Sequence, residues 1–350
     1  TYELSSMTNR DSFGDLPAGY EAGYVDSLSN RSHSRSNGHD LNVGFNYSDD
    51  TWMFNASLGV TPQKRTIDRK VGKLYADTTM RTIDYQPMIW LSWRKKKMRV
   101  SLNYNGRTRQ PSLSDLMPLT DNSDPLYITR GNPDLKQMFM HTMHVSFQHP
   151  SKGISANLGW QMEKNSVTQV VLYDVQTGGR ETYPININGN WNTYGSADWW
   201  KRFGHFSLKL STSGRHSNRV SMINEDRSQQ PEKSTTRDTG LNCEMEASYQ
   251  PTWGGFDFST SWDYQYSLNS LNDNNTYTRY YNFRFDGYVD FPFGLQLRTD
   301  AGYILRSGTN IQKGEDDEIV WNARATWRFL KQRKAELSAC WADILGKRKS

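Results

Sequence analysis

The chain has 350 residues, 35% of them hydrophobic, a net charge of +5 and a mean hydropathy of −0.82. No stretch approaches the roughly 18 consecutive apolar residues that a spanning helix needs, so a helical membrane protein is excluded. The charges of both signs are interspersed without a concentrated basic face, and we expect no nucleic-acid partner. Cys243 and Cys340 fit neither a disulfide framework nor a metal knuckle.

A two-residue alternation of apolar and polar side chains organises the sequence. It appears at 41–47, 51–60, 97–105, 141–148, 153–163, 204–211, 240–249, 255–268, 280–291, 294–305, 320–329 and 334–342. Side chains on a strand point alternately to opposite sides, so each segment predicts a strand with one apolar and one polar face. The apolar set includes the residues that we expect to face lipid: Leu158, Trp160, Phe283, Phe285, Trp327 and Phe329.

Short and long connections alternate between the predicted strands. The short ones are at 48–50, 95–97, 150–153, 202–204, 251–255, 292–294 and 331–333. The long polar ones are at 11–38, 62–78, 110–135, 169–190, 216–232, 269–275 and 307–316. In an up-and-down meander this order places all short turns at one end and all long loops at the other. Outer-membrane barrels show that asymmetry, with short periplasmic turns and long extracellular loops.

The strand lengths favour the same fold. About ten residues, at about 3.3 Å each and tilted by about 45°, span the height of about 25 Å of the apolar band of such a barrel. About fourteen strands follow residue 39, and closing so wide a sheet removes its exposed edges. We therefore predict an all-β, antiparallel, up-and-down transmembrane barrel in the outer membrane of a Gram-negative cell, in contact with its lipid. A soluble sheet protein also predicts alternation and stays as an alternative.

A motif between residues 106 and 136 carries a family resemblance. It contains Arg109, Pro111, Ser112, Leu116, Pro125, Gly131, Asn132, Pro133 and Leu135. The segment resembles the R-x-P-S, L, N-P and G-N-P-x-L-K pattern of TonB-dependent receptors and their relatives. Asp124 stands before Pro125 where that pattern has asparagine, and Gln137 replaces a usual proline. Taken alone, these residues are also those that fold a loop.

The resemblance implies a barrel of about 22 strands with an amino-terminal plug domain. Residues 1–350 would then be the carboxy-terminal portion of one barrel, without the plug, the early strands and the last strand. The implied partners are the plug domain, the TonB complex and, as an open option, a surface lipoprotein. The implied function is uptake of a bulky nutrient such as a siderophore, glycan, peptide or cofactor.

Five aromatic residues, which we place in the long extracellular loops, are the candidate ligand contacts: Tyr127, Tyr173, Tyr183, Trp191 and Tyr194. Flat rings offer an apolar contact to sugars or large planar ligands, and nearby Asn and Arg side chains supply hydrogen bonds. Trp191 and Tyr194 could equally be girdle residues at the outer rim of the barrel.

We predict no enzyme activity, cofactor or resident metal. No motif marks a nucleophile with its base and acid. His141 and His144 point to opposite faces of a strand and cannot chelate together. Two alternatives to uptake stay open: a barrel serving as adhesin, scaffold or passive pore, and a soluble secreted glycan-binding protein.

Overall fold

The computed structural model describes most of the chain. The described residues are 5–10, 30–71, 74–118, 120–121, 124, 126–173, 176, 178–224, 230–271, 275–309, 311, 317–329 and 334–347. Strands dominate throughout this part, and no helix in it is long and apolar enough to cross a membrane.

The elements follow one another with few interruptions. The first half contains β1 (Ser5–Arg10), β2 (Asn30–Gly38), β3 (Leu41–Ser48), β4 (Trp52–Val71), β5 (Leu74–Lys95), β6 (Met98–Arg109), α1 (Leu113–Leu116), β7 (Thr120–Asp121), β8 (Tyr127–Arg130) and β9 (Met138–His149). The second half contains β10 (Ile154–Lys164), β11 (Ser166–Tyr173), β12 (Arg180–Ile187), β13 (Trp191–Phe203), β14 (Phe206–Ile223), β15 (Glu232–Tyr249), β16 (Gly254–Asn269), β17 (Thr276–Asp290), β18 (Leu295–Gly308), β19 (Asp317–Phe329) and β20 (Ala335–Trp341).

Sixteen of these strands form one antiparallel sheet. The order is β1-β2-β4-β5-β6-β9-β10-β13-β14-β15-β16-β17-β18-β19-β20, and β3 pairs with β4 beside β2. Within this sheet, the strands from β3 onward number fourteen among the described residues, which confirms the expectation from alternation. Each strand pairs with its neighbour along the meander, and the two end strands are not paired with each other in the described residues, so this sheet is an open one.

The register of the sheet pairs polar residues with polar residues across neighbouring strands. Gln161, Asn192, Ser217 and Asp238 are successive cross-strand partners, and all four are polar. Directly opposed residues in a sheet share a face. We call this side the polar face. The opposite side, the apolar face, includes the predicted lipid-facing residues, among them Leu158, whose side chain is 50% exposed.

Aromatic rings gather on the apolar face near the short turns. Ring pairs there are Trp52–Trp93, Phe203–Phe206, Tyr249–Phe256 and Trp327–Phe329. On β16 the same face continues from Phe256 to Tyr266. Ten residues separate the two rings, about 23 Å along the barrel axis for a strand tilted by about 45°. This spacing matches the apolar band between two interfacial girdles.

The described short turns are confirmed where alternation predicts them. At the β9–β10 turn, Gly153 adopts a left-handed backbone (φ 67°) and its N–H donates to Pro150 O at 3.0 Å. A Cβ at Gly153 would collide with the carbonyl oxygen of Trp200, so the turn requires glycine. The predicted turn at 331–333 lies outside the described residues, as do residues 11–29 and 312–316 of two predicted loops.

Three of the long connections, 11–38, 62–78 and 216–232, are shorter than predicted, because strands continue into them. β4 and β5 pair up to Val71 and Leu74, inside the predicted loop 62–78. β14 and β15 likewise pair into 216–232. The prediction of strands of about ten residues is wrong for β4 and β5, which have 20 and 22 residues. A tilted strand of 20 residues reaches about 47 Å, well beyond a membrane band of about 25 Å.

The predicted loop 169–190 is wrong in a different way. It contains most of β11 and all of β12, which pair with each other from Ser166–Ile187 to Tyr173–Arg180. With β8 and β7 they form a second sheet of four strands, in which β12 and β8 run parallel. This sheet lies at the end of the main sheet that carries the long connections.

Candidate ligand-binding site at the outer end of the sheet

Two long connections fold together into one packed unit. We define the loop subdomain as residues 110–137 and 165–190 in so far as they are described. Its interior contains Leu116 (1% exposed), Met117 (2%) and Val170 (1%). Leu135 and Ile187 are buried beside them. Most of the buried apolar side chains of the described residues therefore lie in this subdomain and not in the main sheet.

The family motif builds this subdomain. Ser112 caps α1, since its Oγ accepts the Asp115 N–H at 3.1 Å. Gly131 lies against Met117, where an added Cβ would collide with the Met117 carbonyl oxygen. Asn132 donates from Nδ2 to Pro184 O at 3.0 Å, which ties the first connection to the second. Leu116 and Leu135 contribute to the buried interior.

A second bridge closes the base of the subdomain. The Lys136 N–H donates to Asn186 Oδ1 at 2.7 Å, and Asn186 Nδ2 donates to Lys136 O at 3.0 Å. Of the other motif residues, Arg109 ends β6, Pro111 is buried and Pro133 lies in the turn after Asn132. Pro125 lies outside the described residues. In this structure five motif residues shape or anchor the subdomain: Ser112, Leu116, Gly131, Asn132 and Leu135.

Two of the predicted ligand contacts form a row on one face of the subdomain sheet. Tyr173 is the cross-strand partner of Arg180, and Arg180 is the partner of Tyr127. The Arg180 guanidinium lies 4.7 Å from the Tyr127 ring centroid. Tyr127 is 55% exposed, so this ring-and-cation row is open to solvent.

Tyr183 belongs to the other face of the same sheet. The Arg130 guanidinium lies 4.9 Å from the Tyr183 ring centroid and forms an ion pair with Glu181 at 3.1 Å. Its charge is already balanced, which gives this cluster a structural role. Sequence reasoning did not include Arg180 or Arg130, because the register of β8 against β12 is not visible in either segment alone.

Trp191 and Tyr194 lie in β13 and not in a loop, which corrects the prediction. They also point to opposite faces. Trp191 faces the apolar side, 5.2 Å from the His216 ring. Tyr194 faces the polar side, where its ring extends over Gly159 of the neighbouring strand. The odd spacing of the two positions already carried this information, since residues three apart alternate in a strand.

A groove of about 550 Å³ lies on the polar face beside Tyr194. It crosses the outer ends of β10, β13 and β14. Its polar-face lining includes Gln161, Glu163, Asn192, Arg215, Ser217 and Arg219. A second groove of about 400 Å³ continues across β15 to β17 and shares Arg215 and Arg219 with the first. We call the first the polar groove. None of these residues is among the candidates predicted from sequence, although the alternation in 153–163 places Gln161 and Glu163 on the polar face.

The loop subdomain adjoins the polar groove directly. Asn190 follows β12 and lines the groove, and its Oδ1 accepts the Val220 N–H at 2.7 Å. Asn218 donates from Nδ2 to Gly189 O at 2.7 Å. These bonds fix the end of the second connection to β14, so subdomain and groove form one continuous surface.

The histidine and cysteine residues considered in the sequence do not come together into a site. His141 and His144 occupy opposite faces, as their spacing predicts. Cys243 lies on the apolar face and Cys340 on the polar face, and neither forms a disulfide. Within the described ranges, no group of three histidine, cysteine or acidic residues is placed to hold a metal ion.

Comparison with known proteins supports the architecture. Residues 81–250, from β5 to β15, match the model of a family described as "Outer membrane protein beta-barrel family". No match to the sequence is found among curated proteins. This chain is an outer-membrane β-barrel protein. The barrel therefore lies in the outer membrane, and the alternative of a soluble secreted protein is dropped.

Solved structures similar to this barrel include other outer-membrane proteins. In-vitro folded OmpT of Vibrio cholerae is 7% identical, with a TM-score of 0.28 over 89% of this chain and 98% of that one. OccK7 (OpdD) of Pseudomonas aeruginosa is 10% identical, with a TM-score of 0.25 over 91% of this chain and 90% of that one. Likenesses this distant say nothing about the ligand of this barrel.

Proposed function

We propose that this barrel is an outer-membrane receptor that takes up a bulky nutrient in a TonB-dependent manner. The nutrient classes that the proposal covers are siderophores, glycans, peptides and cofactors. The observation that carries it is the loop subdomain, which joins two long connections into a packed body beside the polar groove. Rigid elements position binding groups better than solvated loops do.

Buried residues stabilise this subdomain, and exposed residues of the same subdomain are the ones we propose to contact the ligand. Leu116 and Val170 hold it together, whereas Tyr127 and Arg180 stay on its surface. An exposed ring beside a cation suits capture of a ligand with both flat and polar parts. The polar groove would receive the ligand next, because Asn190 links the subdomain to it.

The energy source in this proposal rests on the motif resemblance. An amino-terminal plug domain of the same protein would close the lumen, and the TonB complex would drive its rearrangement. The other proposed partners are outer-membrane lipid and, as an option, a surface lipoprotein. The proposal includes no catalytic step, no cofactor and no nucleic acid.

Uptake by living cells tests the proposal. Three strains of the native host are compared: the parent, a strain lacking this gene, and a strain lacking TonB function. Each grows in a complex medium whose compounds are followed by mass spectrometry. We expect at least one large compound to be consumed only when both the gene and TonB are present.

Two other outcomes contradict the proposal and point to its alternatives. Uptake that requires the gene but not TonB indicates a passive pore. Unchanged consumption in all strains indicates an adhesin or scaffold. A strain expressing the full-length protein with Gly302→Ala serves as the matched control, since an added Cβ at Gly302 meets no atom within 4 Å.

A further inference from the structure

We infer that the polar groove is a binding site for a neutral oligosaccharide, with Ser217 at its floor and Tyr194 next to it on the same face. This inference rests on the proposed function and narrows its ligand class. It stands on three observations: a buried hydroxyl without a partner, a balanced set of donors and acceptors, and an exposed ring at the groove's edge.

The buried hydroxyl belongs to Ser217. Its residue is 2% exposed, and its Oγ has no hydrogen-bond partner among the described residues. Ser217 lines the groove and lies on the polar face between its cross-strand partners Asn192 and Asp238. A buried polar group without a partner is costly, and a functional site is one place where proteins keep one. The Oγ is closed to solvent, so a ligand hydroxyl would bond to it once the Ser217 side chain turns toward the groove.

The charges around Ser217 are balanced. Arg219 is paired with Asp238, their nearest N and O atoms lying 2.6 Å apart. Asp238 also accepts a hydrogen bond from Ser267 Oγ at 2.7 Å. Arg215 and Glu163, of opposite sign, both line the groove. The groove thus has no excess of either charge, which favours an uncharged ligand over an acidic or basic one.

The hydrogen-bonding groups of the groove suit hydroxyls. Gln161 and Asn192 are direct cross-strand partners, and an amide side chain both donates and accepts. Every residue that lines the groove from the polar face carries a hydrogen-bonding side chain, and Trp191 and Val220 add an apolar part to the lining. Sugar hydroxyls also both donate and accept, so they can use such a lining at every position.

Tyr194 supplies the flat apolar contact. It is the cross-strand partner of Arg215, and its ring extends over Gly159, where an added Cβ would overlap the ring. Gly159 therefore leaves room for the ring to lie across β10. Tyr194 is 41% exposed, so the ring is available to a ligand. An aromatic ring surrounded by amides and an arginine is a suitable contact for the apolar face of a sugar.

Direct binding to the full-length protein in detergent tests the inference. The probes are neutral hexasaccharides of glucose, mannose, galactose and xylose, together with uronic-acid hexasaccharides and mixed hexapeptides. Affinity is measured by isothermal titration calorimetry. We expect a neutral hexasaccharide to bind. Tyr194→Ala should then weaken it roughly tenfold or more. Tyr280→Ala is the matched control, because Tyr280 is a similarly exposed tyrosine of the polar face outside the groove.

A second variant separates binding from folding. Ser217→Ala removes the unsatisfied hydroxyl, so the ligand-free protein should be as resistant to heat as wild type, while saccharide affinity falls roughly fivefold to tenfold. Ser213→Ala, on the same face of β14, is the control and should change neither property. If Ser217→Ala lowers heat resistance and leaves affinity unchanged, Ser217 is structural and the inference is wrong.

The remaining outcomes are distinct from those of the uptake experiment. Binding only of uronic-acid saccharides or only of peptides overturns the neutral-saccharide assignment, as does the absence of binding to every probe. Saccharide binding without TonB-dependent uptake contradicts transport but leaves the site standing. If the cells take up a compound that is not a saccharide and the protein binds no saccharide, the transport proposal stands and the saccharide site is wrong.

Discussion

The main sheet and the loop subdomain bury their apolar side chains in opposite ways. Leu158 in β10 is 50% exposed, although it lies in the middle of a long strand. Leu116 in the subdomain is 1% exposed. The apolar face of the sheet finds its apolar surroundings in lipid, whereas the subdomain has to make its own interior.

This difference explains why so polar a chain folds at all. In the sheet every second side chain can be polar, because the face turned away from lipid is wet. In the subdomain a few residues from two distant connections supply the whole interior, among them Met117 and Val170. Stability of the subdomain should therefore depend on single side chains more than stability of the sheet does.

The strongest test of that comparison is the same substitution in both regions. Leu116→Ala leaves a cavity in a packed interior and should destabilise the subdomain by about 2–5 kcal/mol. Limited proteolysis of intact cells should then cleave within 110–137, while the heat-dependent gel mobility of the barrel stays normal. Leu158→Ala is the control and should leave both readouts near wild type. Equal protease sensitivity in the two variants would contradict the comparison.

A charge placed on the apolar face should produce the next largest effect. Leu158→Arg places a cation near the middle of the lipid band, at a cost of about 2–4 kcal/mol. The fraction of heat-modifiable barrel in the outer membrane should fall. Asn157→Arg, one residue earlier and on the polar face, should fold normally. Loss of folding in both variants would contradict the assignment of one face to lipid and the other to a polar environment.

The sheet was predictable because its information is local. Alternation in 153–163 or 320–329 shows which residues share a face, and the register confirms it. Alternation fades where both faces are polar, as in the outer half of β4 with Gln63, Lys64 and Arg65. There the strand continues by pairing with β5, which the sequence of β4 alone does not show.

The candidate site was less predictable because its information is not local. Asn132 and Pro184 are far apart in sequence, and their contact depends on both connections folding together. The isolation of the Ser217 hydroxyl likewise depends on residues of neighbouring strands. The five aromatic residues were reasonable hypotheses, but only the structure separates exposed Tyr127 from Tyr183, which lies beneath Arg130.

Breaking the hydrogen bond from Asn132 to Pro184, which bridges the two connections, should destabilise the subdomain less than a cavity in its buried interior does. Asn132→Ala removes the bond to Pro184 O and the bond that Oδ1 accepts from the Asp134 N–H at 3.0 Å. Losing them should destabilise the subdomain by about 1–2 kcal/mol. The temperature at which protease cleaves 110–137 should fall by less than in Leu116→Ala. Asn282→Ala in β17 is the control, and a larger effect there than at position 132 would contradict the bridge.

The smallest effect on stability is expected at a short turn, which is held by hydrogen bonds to a carboxylate and not by buried apolar side chains. Asp49 Oδ1 accepts the N–H groups of Thr51 and Trp52, both at 2.7 Å, and Oδ2 accepts the Tyr47 hydroxyl at 2.7 Å. The Tyr47 bond, followed by the two backbone bonds, lowers the pKa of Asp49 below its ordinary value.

A lowered folded-state pKa contributes stability that is complete above the ordinary aspartate pKa of about 3.9 and is lost as the pH falls through the folded value. Urea midpoints of wild type and Asp49→Asn should therefore differ slightly at pH 7 and converge as the pH falls through the folded-state pKa of Asp49, where its carboxyl becomes protonated. Asp50→Asn is the neighbouring control, and a difference between wild type and Asp49→Asn that persists in acid would show that the turn does not depend on this charge.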